Sequence, residues 1–171
     1  MSALLAETDA VHAYHDGRIS SLLASLDRAG IDRAVLCSIA TKPTQFDNIL
    51  AWSREIACDR IRPFPSVHPD DPELGTHVAR VAEEGFRGIK LHPYYQEFVI
   101  DDDAIDPLYA ALCEQDLLLV CHTGFDIAFP RVRRCDPARI VRVLDRFPDL
   151  KLVTTHLGAW SDWDAVRAHL V

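Results

Sequence analysis

Apolar runs of strand length alternate with segments of helical periodicity along the chain. Five of the runs are rich in β-branched and aliphatic residues, and each begins roughly 30 residues after the last, which is the spacing of β-strand–α-helix units. The predicted strands are residues 33–39, 62–69, 87–93, 117–124 and 151–158, and the predicted helices are residues 21–30, 44–59, 71–85, 106–115, 136–147 and 161–171. Apolar strands between amphipathic helices predict an α/β fold with a parallel sheet, either open and doubly wound or closed as a (β/α) barrel.

Residues that start and stop helices stand at the ends of these segments. Gly30 follows the first helical segment and suits the left-handed position after a helix. Three other segments begin with Asp-Pro, where the aspartate can accept hydrogen bonds from first-turn amides and the proline loses nothing by lacking an N–H. These pairs are Asp71-Pro72, Asp106-Pro107 and Asp136-Pro137. We therefore expect three helices capped by aspartate.

Composition narrows the class of protein. The 171 residues are 49% hydrophobic and carry a formal net charge of -8, without a run of lysine or arginine. We therefore expect one domain over residues 1–171 that acts on a small molecule rather than on nucleic acid or a membrane surface. The cysteines are odd in number and lack zinc-ribbon spacing, which argues against a disulfide framework and favours a cytoplasmic location. No apolar stretch has the length of a membrane span, and the first residues lack the pattern of a signal peptide.

Histidines stand at or just past the ends of four consecutive predicted strands. They are His68, His92, His122 and His156. The carboxyl ends of parallel strands meet at one edge of a sheet, where such folds build their sites. A neutral imidazole can bind a zinc-like cation with one nitrogen while an acceptor holds the other. The pattern predicts a metal site at this edge; the alternative is that each histidine bonds only to a nearby loop.

Side-chain alternation along a strand sorts the neighbours of two of these histidines. Lys90 and His92 share one face of their strand, whereas Cys121 points away from the face of His122 and is expected under the helices. A lysine in an otherwise buried strand is costly unless its charge is used. Lys90 could orient a substrate carboxylate or, as a carbamate, bridge two metals. The plainer alternative is an ion-paired lysine at the mouth of the sheet.

The loops after the strands carry further candidates whose role the sequence leaves open. Asp126 follows His122 on a loop with two phenylalanines that could form a wall of a substrate pocket. Asp126 itself either faces that pocket or caps its own loop. The tyrosines of segment 94–98 and Trp160 either line a pocket or pack between a loop and a helix. The acidic run 101–103 is best explained as the start of a helix, where it interacts with the helix dipole.

Taken in order, these motifs resemble the amidohydrolase-related metal-dependent hydrolases, in the branch that contains aminocarboxymuconate-semialdehyde decarboxylase and related small-acid decarboxylases. The resemblance runs from LLASLDRAGIDRAVLCSIATKP through PFPSVHPDDPE, GFRGIKLHPYYQ and VCHTGFDIAFP to RFPDLKLVTTHLGAW. It implies a TIM (β/α)8 barrel and a divalent metal, expected to be zinc. It also implies that His122 is a metal ligand after strand five, and that His156, after strand six, lies at the metal and helps to polarise substrate or bound water.

Two parts of the family pattern are missing. Members open with a strand that carries Asp-x-His-x-His and close with a strand-eight aspartate, and this sequence has neither; His12 and His15 are three residues apart and follow no predicted strand. The five predicted strands resemble strands two to six of eight, and a complete barrel has about 250 residues. We therefore expect a partial barrel, incomplete at both termini, whose unpaired edges a homo-oligomer could cover.

Three functions are compatible with these patterns. The first is a metal-dependent hydrolase or decarboxylase of a small, carboxylated substrate, with His122 and His156 at the metal and with His156, Lys90 and His92 as catalytic residues. The sequence does not choose between the two reactions. The second is a non-catalytic fragment or remnant of such a barrel that acts only through association. The third, a doubly wound nucleotide-binding protein, is the weakest because no glycine-rich phosphate loop follows any strand.

Overall fold

Strands and helices alternate throughout the computed structural model, which describes residues 15–171. The strands are β1 (Ala34–Cys37), β2 (Ile61–Phe64), β3 (Gly88–Leu91), β4 (Leu118–Cys121) and β5 (Lys151–Thr154). The helices are α1 (Ile19–Ala29), α2 (Phe46–Ile56), α3 (Leu74–Glu83), α4 (Asp106–Glu114), α5 (Pro137–Arg146) and α6 (Trp163–His169). Each predicted strand and helix is found, which confirms the α/β prediction, although every strand is shorter than its apolar run.

All pairing among these strands is parallel, in two groups. β1 pairs with β2, and β3, β4 and β5 form a second sheet in that order. Between β2 and β3 the described residues form no regular ladder; instead the backbone N–H of Lys90 donates to the carbonyl of Pro65 at 2.8 Å. A Cβ on Gly88 would stand 2.3 Å from the carbonyl oxygen of Leu118 in β4 and 2.5 Å from the ring of Phe64 in β2, so a larger residue there would clash with both neighbouring strands.

The hydrophobic core lies under the three-stranded sheet, against helices α3, α4 and α5. Leu119 and Cys121 of β4 are fully buried on this side, as side-chain alternation predicts. The other face is more open: Val120 is only partly buried, and Val35 and Val153 on the outer strands are 53% and 44% exposed. The covered face of the sheet therefore holds the core, and the opposite face is more exposed in the described structure.

One of the three expected aspartate caps is found. Asp71 accepts a hydrogen bond from the backbone amide of Glu73 at 2.9 Å, in the turn that leads into α3. The carboxylates of Asp106 and Asp136 make no capping hydrogen bond, so the prediction is wrong at these two positions. Both carboxylates pair with arginines of α5, because a guanidinium offers a charge-assisted hydrogen bond.

The acidic run 101–103 leads into α4, as predicted. Asp102 accepts a hydrogen bond from the backbone amide of Ala104 at 3.0 Å and so caps the short 3-10 turn before the helix. Asp101 has a different role, because it accepts hydrogen bonds from Arg139 at 2.6 Å and Arg142 at 2.7 Å. The run therefore joins the start of α4 to the side of α5.

Within residues 15–171, none of the helices combines the length and the apolar character that crossing a membrane requires.

Candidate metal and substrate site

Three of the four strand-end histidines converge at the carboxyl edge of the three-stranded sheet. His92 and His122 directly follow β3 and β4, and their rings stack with centroids 4.1 Å apart. His156 lies two residues after β5, and its Nε2 is 3.1 Å from Nδ1 of His122. Parallel register brings these ends together, since residues that follow paired strands in the same register lie side by side.

His68 lies apart from this cluster. Strand β2 ends at Phe64, four residues earlier, where Pro65 removes a backbone donor from the ladder. The Nδ1 of His68 accepts a hydrogen bond from the backbone amide of Asp70 at 3.1 Å, within its own loop. The predicted convergence of four histidines is therefore wrong for His68, which has the loop-bonded role. His12 lies outside the described residues.

Asp126 faces two of the clustered histidines. Its Oδ2 is 3.4 Å from Nε2 of His92 and 3.6 Å from Nε2 of His122. Its Oδ1 accepts a hydrogen bond from the backbone amide of Ala128 at 2.8 Å, so the loop-capping interpretation is correct for one oxygen while the other oxygen faces the cluster. His92, His122 and Asp126 each present one ligand atom, and these three atoms lie within 4.8 Å of one another.

Both imidazoles of this group are neutral at physiological pH. Burial lowers the pKa of His92 to about 3, with further lowering by the charges of His122 and Lys90. Burial also lowers the pKa of His122 to about 4, although Asp126 opposes the shift. Neutral imidazoles keep the lone pairs that a metal ion requires. Two nitrogen donors and one carboxylate oxygen form a set that suits zinc and other divalent transition metals, so the residues present fit the cofactor that the sequence predicts.

His156 contacts this group through the second nitrogen of His122. If Nε2 of His122 faces a cation, its Nδ1 carries the proton and donates it in a hydrogen bond to Nε2 of His156. Neighbouring acceptors commonly orient histidine ligands in this way. Burial lowers the pKa of His156 as well, and the charge of Lys90 adds to the shift. His156 thus contacts His122 at the ring nitrogen other than the one that lies near Asp126.

Lys90, in the fully buried strand β3, is 7% exposed. Burial lowers its own pKa, because the charged form is poorly solvated there. Its ammonium charge lowers the pKa of all three clustered histidines, which places Lys90 within electrostatic reach of the site.

The loops that carry the site approach one another closely. Gly124, with φ +82°, pairs with Trp160, and a Cβ at Gly124 would stand 2.0 Å from the backbone nitrogen of Trp160. His156 and Leu157 both have φ of +56°, a region that L residues rarely adopt. Such strain persists where the surrounding structure over-determines the conformation, and here the strained turn carries His156 beside His122.

A cavity of about 510 Å³ contains the clustered groups. It is lined by His92, Tyr95, His122, Phe125, Asp126, Ile127, His156 and Trp160. Aromatic walls beside a few convergent polar groups suit a small organic ligand. Trp160 lines the cavity and is 45% exposed, so of its two predicted roles, lining a pocket or packing between a loop and a helix, the structure shows the first. Tyr94 packs instead: it is buried, and its hydroxyl donates to the carbonyls of Gly124 and Val132.

A larger depression, of about 840 Å³, lies at the opposite ends of β1 and β2. Its lining includes no histidine or cysteine. Arg60 occupies part of it and is already bound to the carboxylate of Asp27 and to the carbonyls of Ile31 and Asp32. Size alone therefore does not mark the site, and the groups with suitable chemistry are in the smaller cavity.

Known proteins share this arrangement of strands and helices. The family model for amidohydrolases matches residues 16–170. No curated protein matches the chain. Among solved structures, the uncharacterized TIM-barrel protein Bb4693 from Bordetella bronchiseptica is 20% identical with a TM-score of 0.67, over 90% of this chain and 57% of that one.

Two further solved structures have functional names. 5-Carboxyvanillate decarboxylase LigW2 from Novosphingobium aromaticivorans, solved with manganese and 3-methoxy-4-hydroxy-5-nitrobenzoic acid, is 23% identical with a TM-score of 0.65, over 87% of this chain and 51% of that one. IDCase from Metarhizium anisopliae is 18% identical with a TM-score of 0.65, over 85% of this chain and 48% of that one.

The likeness confirms the predicted architecture. The chain spans about half the length of these solved structures, so the described strands and helices are a partial TIM barrel. Because the family model covers nearly the whole chain, the chain belongs to the amidohydrolase family.

Proposed function

We propose that this protein is a divalent-metal-dependent decarboxylase of a small aromatic carboxylic acid. The observation that supports it is the convergence of His92, His122 and Asp126, with ligand atoms within 4.8 Å of one another, in a cavity with aromatic walls. We favour decarboxylation over hydrolysis because LigW2, which has a similar fold, is a decarboxylase solved with manganese and a substituted benzoic acid. Since the chain spans about half of that structure, the activity of the whole protein is part of the proposal.

In this proposal His92, His122 and Asp126 hold the metal. The assignment differs from the sequence-based one, in which His122 and His156 are the ligands and His92 is catalytic. The distances support the change. Nε2 of His156 lies 3.1 Å from Nδ1 of His122, whereas Oδ2 of Asp126 lies 3.6 Å from Nε2 of His122 and 3.4 Å from Nε2 of His92. The donor set accommodates zinc, which the sequence analysis expects, and also manganese, which LigW2 binds.

Different residues of the chain would bind the substrate, attract its charge and transfer a proton. A bound divalent cation would supply positive charge that polarises oxygen atoms of the substrate. Phe125 and Trp160 would contact the aromatic ring, and Lys90 would favour an anionic substrate through its charge. Decarboxylation requires a proton on the ring carbon while the bond from that carbon to the carboxylate breaks and CO2 leaves. His156 is the exposed imidazole of the cluster, so we assign this proton transfer to it.

The first test is metal stoichiometry, measured by inductively coupled plasma mass spectrometry on the purified chain. We expect about one divalent metal per chain in the wild type, and its loss in His122→Ala and in Asp126→Asn. His68→Ala is the matched control, because it removes a buried strand-end histidine whose hydrogen bond lies within its own loop. This control should keep the metal.

The same samples separate the competing functions. CO2 release from small aromatic acids by the metal-loaded chain, lost in His156→Ala, would support decarboxylation. A wild type that binds no metal, or a His122→Ala variant that binds as much as the wild type, would contradict the proposal. The first of these results would favour the alternative of a non-catalytic fragment that acts through association.

A further inference from the structure

The junction between the two sheets lies directly beside the candidate metal site. β2 and β3 share no regular ladder among the described residues, and the hydrogen bond from Lys90 N–H to the Pro65 carbonyl is one of the few backbone links across the gap. Ser66 adds a side-chain link, since its hydroxyl donates to the carbonyl of Lys90 at 2.7 Å. His92 follows immediately after this junction, so its position depends on how the gap is held.

Gln96 spans this junction with its side-chain amide. Its Nε2 donates to the carbonyl of Ala40, after β1, and to the carbonyl of Val67, after β2, both at 3.0 Å. Its Oε1 accepts from the backbone N–H of His92, directly after β3, at 2.7 Å. Gln96 is 2% exposed, so these bonds are made away from water. One side chain therefore joins the segments that follow three successive strands.

Gln96 also holds both backbone groups of His92. Besides the bond to Oε1, the backbone N–H of Gln96 donates to the carbonyl of His92 at 3.0 Å. The peptide groups on each side of the His92 Cα are thus bound to the same residue. Because these groups set the direction of the Cα–Cβ bond, they set where the imidazole lies relative to Asp126, whose Oδ2 is 3.4 Å from its Nε2.

Only an amide of this length supplies the required groups. Two donors are used on Ala40 and Val67 and one acceptor on His92. Glutamate has nearly the same shape but lacks both donors, and methionine lacks donors and a strong acceptor. Either replacement would leave buried backbone groups without partners, which is costly away from water.

We propose that Gln96 is a positioning residue that sets the place of His92 in the metal site and couples the β1–β2 sheet to it. The proposal rests on the metal site of the proposed function. Gln96 touches neither the metal nor the substrate in this role; it acts through the backbone of His92.

The test compares Gln96→Glu and Gln96→Met with the wild type by titrating Zn²⁺ into the folded, metal-free chain in a calorimeter. Residues that orient metal ligands typically contribute 10- to 100-fold to affinity, so we expect at least about tenfold weaker binding in both variants. Tyr109→Phe is the matched control, because it removes a buried hydroxyl that donates to the Ile100 carbonyl in the core. It should lower stability while its Zn²⁺ affinity stays within about twofold of the wild type.

Amide hydrogen exchange of His92, followed by NMR on the metal-free chain, gives a second measurement. In the wild type we expect this amide to exchange only as fast as global unfolding permits, because its partner Oε1 is buried. Selective loss of this protection in the folded Gln96→Met variant, with core amides still protected, supports the positioning role.

The outcomes separate the two proposals. A folded Gln96→Glu or Gln96→Met variant with wild-type Zn²⁺ affinity overturns the role of Gln96, and so does fast exchange of the His92 amide in the wild type. The second result needs no variant, so it decides the matter even if both substitutions prevent folding. A wild type that binds no Zn²⁺ but protects the His92 amide overturns the metal site and leaves the positioning of His92 standing.

Discussion

Strand β3 of the three-stranded sheet and strand β1 of the two-stranded sheet differ in how completely their residues are buried. Every residue of β3 is buried, whereas those of β1 alternate between partly buried and exposed. The clustered histidines follow β3, β4 and β5, while His68, after β2, bonds within its own loop. Close packing holds side chains in single conformations, so the packed strands β3 and β4 can fix the positions of His92 and His122. His156 instead follows β5, whose residues are only partly buried or exposed.

The largest expected difference between the two sheets is in core packing. Leu119→Ala in β4 removes a fully buried side chain and should lower the free energy of unfolding by roughly 2 to 5 kcal/mol. Val35→Ala in β1 removes a side chain that is 53% exposed and should cost less than about 1 kcal/mol. Urea unfolding followed by circular dichroism measures both, and equal losses would contradict the contrast.

Two glycines with positive φ, Gly124 in the loop after β4 and Gly30 before β1, allow the same comparison to be made for loops. Gly124→Ala places a methyl group against the Trp160 backbone and should cost roughly 2 to 4 kcal/mol, from the clash and the unfavourable φ together. Gly30→Ala, after α1, has no atom within 4 Å of the new methyl group, so only the φ of +66° opposes it, at about 1 kcal/mol. The comparison of urea midpoints checks this, and an equal cost would show that the loops of the site have room to yield.

Acid should weaken the side of the molecule that holds the core. Burial raises the pKa of Asp101, but hydrogen bonds from Arg142 and Arg139 outweigh it and hold the pKa below the ordinary 3.8. The ionised Asp101 carboxylate contributes fully to the free energy of unfolding when the pH is above 3.8, and this contribution is lost as the pH falls through the lowered pKa of the folded state. Asp101→Asn should therefore cost about 1.5 kcal/mol at pH 7 and nearly nothing at the acid end of the transition.

The matched control for this pH dependence lies near β1 and β2. Asp27 pairs with Arg60 at 2.9 Å, but its side chain is 64% exposed, so Asp27→Asn should cost less than about 1 kcal/mol. Denaturation measured in urea at several pH values gives both differences. A cost for Asp101→Asn that persists below its lowered pKa would show that packing, and not charge, explains the effect.

The smallest effect is expected at the junction of the sheets. Ser66→Ala removes the donor to the Lys90 carbonyl and should lower the free energy of unfolding by about 1 kcal/mol. Ser20→Ala, on the first helix, changes an exposed serine and should have almost no effect. Equal unfolding midpoints for the two variants would show that this hydroxyl does not help to join β2 to β3.

Local patterns were sufficient to predict the elements and part of the site. The burial of Cys121 follows from alternation along β4 and is found, whereas the shared face of Lys90 and His92 stays a prediction. The caps at Asp106 and Asp136 were wrong because arginines of α5 bind the carboxylates: Arg146, 40 residues along the chain, binds Asp106, and Arg139, three residues along, binds Asp136. A local signal describes what a side chain can bind, and not which partner the fold brings to it.

By itself, the sequence determined the order of strands and helices and the placement of histidines after strands, because hydrophobic periodicity and strand-end position are properties of short segments. Only the tertiary structure decided that His68 is excluded, that one oxygen of Asp126 faces His92 and His122, and that Gln96 joins three strand ends. These contacts depend on where separate loops meet. That depends on the register of parallel strands and the packing beneath them, which no single segment encodes.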